Sequence, residues 1–152
     1  MSLSAGRIVS VNTIVAGTAP SIIYDYHTYP TTSANSSSGT ATIGYSGGST
    51  ITPTFASGDT VIIAGIAPSG FNNATGVTVL ASPAPTTTTF SYTNSTAGPQ
   101  TVAGTVFNLN AANKIIAVPT TVGTIQVGAQ FSYGIYVIIG SGQTISITYS
   151  LG

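Results

Sequence analysis

Between Thr124 and Phe131 the chain alternates without a break, with Ile125, Val127, Ala129 and Phe131 separated by Gln126, Gly128 and Gln130. A period of two sends successive side chains to opposite faces of a β-strand, so these four apolar residues share one face, and that face is expected to be core. The rest of the composition points the same way. Ser and Thr make up roughly 30% of the residues, and β-branched Thr, Val and Ile fit a pleated surface but lose rotamer freedom in a helix. There is no Glu, and 18 Gly and 8 Pro punctuate the chain at short intervals. The expected fold is all-β: a β-sandwich or barrel, jelly-roll-like, built from the N- and C-terminal segments and carrying a small inserted β module.

The outer segments are expected at 1–29 and 111–152. In the first, Val9, Val11 and Val15 are expected to share a face, and a turn at 16–20 leads into Ser21–Tyr29. In the second, Gly134–Ile139 and Gln143–Tyr149 read as a hairpin closed by Gly140-Ser141-Gly142. The second of these strands points Ile145, Ile147 and Tyr149 inward. The first is apolar on both faces, Ile135, Val137 and Ile139 on one and Tyr136 and Ile138 on the other, so a second sheet or a neighbouring subunit must cover each. Residues 30–49, rich in Ser, Thr and Gly, carry too little apolar surface for a core and read as a linker or exposed loop. The inserted module is expected over 50–110, with strands at Thr60–Ile66, Val77–Ala81, Thr88–Thr93 and Thr101–Phe107. Its two ends should lie close together.

Charge limits what the chain can bind. Arg7, Lys114, Asp25 and Asp59 are the whole inventory of charged residues, with one His, His27, and the formal net charge is zero. Without mutual repulsion such a surface favours association. Two cations cannot displace the counterions of a nucleic-acid backbone, so no nucleic-acid partner is expected. No apolar run reaches the 18 or more residues of a membrane-spanning helix, so no membrane partner is expected either. The apolar stretch after Arg7 is interrupted by Ser10, Asn12 and Thr13 and suits a strand better than a secretion signal. Cysteine is absent, which removes disulfides and thiolate metal sites.

Little suggests catalysis. Asp25 and His27 would share a strand face, but no nucleophile elbow or oxyanion loop accompanies them. The two carboxylates stand far apart in sequence, and the glycine-rich Gly44–Gly48 lacks the Lys of a phosphate loop. No catalytic, cofactor or metal site is therefore expected. The candidate functional surface is instead one for assembly: Tyr24, Tyr26 and Tyr29, whose rings combine apolar area with a hydroxyl, and Ile135, Tyr136, Val137, Ile138 and Ile139. The tyrosines could equally cover the edge of their own sheet.

Two stretches carry a resemblance. Gly6-Arg7-Ile8-Val9-Ser10-Val11 through Ala16-Gly17-Thr18 and Ile23-Tyr24-Asp25, with Ala112-Asn113-Lys114-Ile115-Ile116-Ala117-Val118-Pro119 through Gly134-Ile135 and Gly140-Ser141-Gly142-Gln143, resemble the small head-associated structural proteins of tailed phages. Between them, Gly58-Asp59-Thr60-Val61, Pro68-Ser69-Gly70-Phe71-Asn72, Thr89-Phe90-Ser91-Tyr92 and Val102-Ala103-Gly104-Thr105-Val106 are similar to a small β module recurring in phage structural proteins. The resemblance implies a capsid decoration or cement protein on the outer surface of the virion, a homotrimer whose other partner is the major capsid protein. A glycan-binding fibre or spike component and a surface-layer or filament subunit are the alternatives that composition leaves open.

Overall fold

The computed structural model describes residues 5–96 and 98–152; residues 1–4, where the expected outer segment begins, and residue 97 lie outside the described residues. The described residues form thirteen strands. In order they are β1 (Gly6–Val15), β2 (Ser21–Asp25), β3 (Thr28–Ser37), β4 (Thr40–Tyr45), β5 (Thr60–Ala64), β6 (Asn73–Thr78) and β7 (Thr89–Thr93). Then come β8 (Gly98–Pro99), β9 (Thr105–Asn108), β10 (Lys114–Val118), β11 (Gly123–Phe131), β12 (Ile135–Ile138) and β13 (Thr144–Leu151). One 3₁₀ turn, Ser69–Phe71, is the only helical element among the described residues. The protein is all-β, and its sheets stay open and do not close into a barrel.

Two compact units divide the chain: an outer unit of Met1–His27 with Ala111–Gly152, and an inserted unit of Thr28–Asn110. The outer unit is a six-stranded sandwich with one sheet ordered β11-β1-β13 and the other β10-β2-β12, all pairs antiparallel. Its core holds Ile8, Val11, Ile23, Val118 and Phe131, with Ile125, Val127, Ile135, Val137, Ile145 and Ile147 packed against them. The alternation in β11 therefore points inward, as its period requires.

The Gly134–Ile139 and Gln143–Tyr149 segments do not form a hairpin. β12 pairs with β2 and β13 pairs with β1, so the intervening loop crosses from one sheet to the other. Every connection in this unit crosses in the same way, except the one through the insert, which joins the neighbours β2 and β10. The crossing at 139–143 needs Gly140, because a Cβ there would run into the carbonyl of Ala19. Nor do Val9, Val11 and Val15 share a face. Register shifts between Ile8 and Ser10 and between Thr13 and Val15 leave Val9 and Ile14 as extra residues relative to β13, so Val11 is buried while Val9 and Val15 are exposed.

Three of the crossing loops meet around one buried side chain. The Oε1 of Gln143 accepts from the backbone N–H of Ser21 at 2.7 Å and from its hydroxyl at 2.5 Å, while Nε2 donates to the carbonyl of Pro119 at 2.5 Å. Ser21 Oγ in turn accepts from the N–H of Gly140 at 2.9 Å, and Gly17 donates to the Thr120 carbonyl at 3.0 Å. At the opposite end, Asp25 receives the backbone N–H groups of Ser132 and Tyr133, each at 2.9 Å, and so holds the β11–β12 loop.

The inserted unit is larger than expected, because the presumed linker belongs to it. Residues 30–49 hold most of β3 and all of β4, a hairpin closed by Ser38 and Gly39 at φ 52° and 83°, both left-handed as a two-residue primed turn requires. This hairpin reaches the core through small residues, Ala34 and Ala41, alongside Ile43 and Tyr45. β3 is shared: Thr28–Pro30 pairs with β9 and Thr31–Ser37 with β4, which carries the order on to β7, while β9 continues to β5 and β6. Phe55, Phe71, Phe90 and Tyr92 fill the space enclosed. Thr28 stands opposite Phe107, so the two ends of the insert are side by side.

Candidate assembly surface

The eight residues singled out for assembly do not form one patch. Tyr29 lies in the inserted unit, where its ring meets Tyr45 and Phe55 edge-on at 6.2 Å and 5.6 Å; it packs against that unit's core. The other seven lie in the outer unit, on or beside the sheet β10-β2-β12. Here the register sorts them. One row across the sheet runs Ile116, Ile23, Val137, and these pack inward with Ile135. The rows of the opposite face run Lys114, Tyr24, Tyr136 and Ala117, Ile22, Ile138.

Tyr24 is buried, at 6% exposed, and desolvation raises the pKa of its hydroxyl. Tyr26, just past the end of β2, stacks on Tyr136 with ring centroids 5.4 Å apart and planes at 19°. Desolvation, and secondarily Tyr136, raises the pKa of Tyr26. The Tyr26–Tyr136 pair is half-buried; Ile138, on the face of Tyr136, and Ile139, just past the end of β12, are 37% and 54% exposed. Of the charges in this sheet, Lys114 shares the face of Tyr136 two strands away, while Asp25, opposite Ile135 in the adjacent strand, is engaged by the Ser132 and Tyr133 backbone.

The polar groups that chemistry would require are occupied in holding loops. Both carboxylate oxygens of Asp25 face the Ser132–Tyr133 backbone. The imidazole of His27 lies flat on Tyr133, centroids 3.7 Å apart and planes at 4°, and desolvation lowers its pKa against a smaller opposing pull from Asp25. Asp59 accepts from Ala56 N–H at 2.8 Å and from Asn108 Nδ2 at 2.6 Å, closing the turn before β5. Among the described residues no three His, Cys, Asp or Glu side chains come together as metal ligands would.

Sequence reading missed a second exposed element, the outer side of β13. Tyr149 and Leu151 are 49% and 54% exposed, although Tyr149 lies on the same side as the inward Ile145 and Ile147 and meets Phe131 edge-on at 6.4 Å. Reading the strand as half of a hairpin gave it a neighbour that it does not have. Comparison with protein-family models, curated proteins and solved structures finds no match.

Proposed function

We propose that this chain is a non-catalytic structural protein of a virus particle, a decoration or cement protein on the outer surface of a tailed-phage head that works by packing against the major capsid protein and against copies of itself. The observation that carries this reading is the exposed pair Ile138 and Ile139 at the end of edge strand β12, on a molecule of zero net charge. Apolar and aromatic groups with few charges are what an interface core uses, and no long-range repulsion opposes contact. Weak contacts of this kind multiply when several shell subunits are bound at once. The occupied state of Asp25, His27 and Asp59 supports a structural role for the few ionisable groups.

The test is co-sedimentation of the purified chain with emptied, expanded phage shells. Saturable binding is expected. Replacing Ile138 and Ile139 together by Lys should weaken it at least tenfold, while Ile51→Lys, on an 88%-exposed residue of the insert, should leave it unchanged. No binding by the wild-type chain removes the capsid reading. Glycan binding by the chain would then favour a fibre component, and spontaneous sheets or filaments a surface-layer subunit.

A further inference from the structure

Sheet edges expose unpaired N–H and C=O groups, and proteins that remain monomeric blunt them with charge, proline, bulges or short strands. Three of the four edges in the outer sandwich are blunted. β10 carries Lys114, a register break at Ile115 and Pro119 just past its end. β11 is bulged at Val127 and Gly128, with Gly128 at φ 65°, and Arg7 Nε donates to the Gly128 carbonyl at 3.1 Å. β12 is only four residues long. β13 is the exception: eight residues, Thr144-Ile145-Ser146-Ile147-Thr148-Tyr149-Ser150-Leu151, with no charge, Pro or Gly. Its two register shifts place the extra residue in β1, so β13 itself runs unbulged, and no strand pairs with its outer side among the described residues.

We infer that β13 pairs with β13 of a second copy of this chain, antiparallel, about a two-fold axis at Thr148. Opposed residues in an antiparallel pair share a face, so the axis must pass through a residue and not between two. Centred on Thr148, the pairing sets Ile147 against Tyr149, Ile145 against Leu151 and Ser146 against Ser150. The exposed Tyr149 and Leu151 are then covered by the partner's Ile147 and Ile145, aliphatic–aromatic and aliphatic pairs of the kind that stabilise sheets. Centring on Ile147 would leave Leu151 opposite Gln143, which is already committed to Ser21 and Pro119. The two three-stranded sheets become one of six. A trimer closed through the sandwich edges alone would need β13 to meet a different sandwich edge of the next copy, and those edges are the blunted ones.

The absence of cysteine permits a sharp test. In Thr148→Cys the two introduced thiols face each other across the axis on Cα atoms about 4.5–5.5 Å apart, within disulfide reach. In Ser146→Cys they are four residues apart along the strands, about 13 Å. The full chain should run as a dimer by light scattering, Thr148→Cys should give a disulfide-linked dimer under mild oxidation, and Ser146→Cys should not. Thr148→Lys, which places like charges directly opposite, should raise the dimer dissociation constant at least tenfold with an unchanged circular-dichroism spectrum. A monomeric wild-type chain, equal cross-linking at both positions, cross-linking at neither, or a Thr148→Lys chain that still dimerises fully would each overturn the pairing. A chain that pairs this way but ignores shells would remove the capsid reading alone. A monomer that still coats shells would remove the pairing alone.

Discussion

Gln143 is a polar residue buried in a sandwich that has few polar groups to spare, and its bonds reach Ser21 on one crossing loop and Pro119 on another. Truncating it leaves the Ser21 N–H and the Pro119 carbonyl without that partner in a dry environment, which costs about 1–3 kcal/mol. Gln143→Ala is therefore expected to lose stability in that range by urea unfolding, while Ser141→Ala, two residues away and exposed, stays within about 0.5 kcal/mol of wild type. A second residue-scale effect concerns pH. Burial pushes the Tyr92 hydroxyl up to about 12, against a smaller opposite pull from its Asn94 hydrogen bond. The unfolded chain ionises near pH 10. A raised folded pKa means stability that is complete below pH 10 and lost as pH rises through about 12. The raised Tyr24 and Tyr26 add to the same slope. The urea midpoint should fall between about pH 10 and 12, and Tyr92→Phe should flatten that fall while costing about 1 kcal/mol at neutral pH for the bond to the Phe71 carbonyl. An equal slope in the variant would clear Tyr92 of the effect.

At the scale of elements, the crossing loops decide which strands become neighbours. Gly140 lets the 139–143 loop press against Ala19 and Pro20, and any Cβ forces the two backbones apart. Gly140→Ala is expected to destabilise by about 1–3 kcal/mol, as overpacking does. Ser141→Ala in the same loop again serves as the reference in urea unfolding. This is also where the sequence misleads most. Two apolar segments separated by Gly-Ser-Gly carry the local signal of a hairpin, and whether the loop turns back in one sheet or steps to the other depends on long-range pairing that no local pattern contains. The inward face of β11 was legible because its alternation is unbroken. The faces of β1 were not, because the extra residues Val9 and Ile14 reset the alternation, and a bulge leaves no mark in composition. Residues 30–49 were misread for a different reason. Their core positions are filled by Ala34 and Ala41, too small to stand out in a Ser/Thr-rich stretch, and the Ser38-Gly39 turn lacks the Asn or Asp that usually advertises it. Of the candidate surface, Ile138 and Ile139 were legible as apolar residues without an assigned partner, whereas Tyr29 could not be told from its neighbours Tyr24 and Tyr26 until the unit boundary was known.

At the scale of the whole molecule, that boundary falls where two pairs of backbone atoms meet. Within the insert, Thr28 stands opposite Phe107; within the sandwich, the N–H of Asp25 donates to the Asn113 carbonyl at 2.8 Å. Each unit thus holds its own two ends of the junction together, and each encloses its own cluster of buried side chains. β2 and β10 are already antiparallel neighbours, so the insert occupies the place of an ordinary hairpin loop. Closing a loop depends only weakly on its length, which is why so large an insertion is tolerated there. Excising Thr28–Asn110 and joining His27 to Ala111 through a short Gly-Ser turn should therefore leave a folded sandwich, with a cooperative urea transition and a β-type circular-dichroism spectrum. The excised sandwich keeps β13 and the Ile138–Ile139 surface, so it should also keep both self-association and shell binding. A sandwich that folds but no longer binds shells would move the attachment surface to the insert. Failure to fold would mean that the outer unit depends on the insert for more than chain connection, and the two cores would have to be treated as one cooperative system.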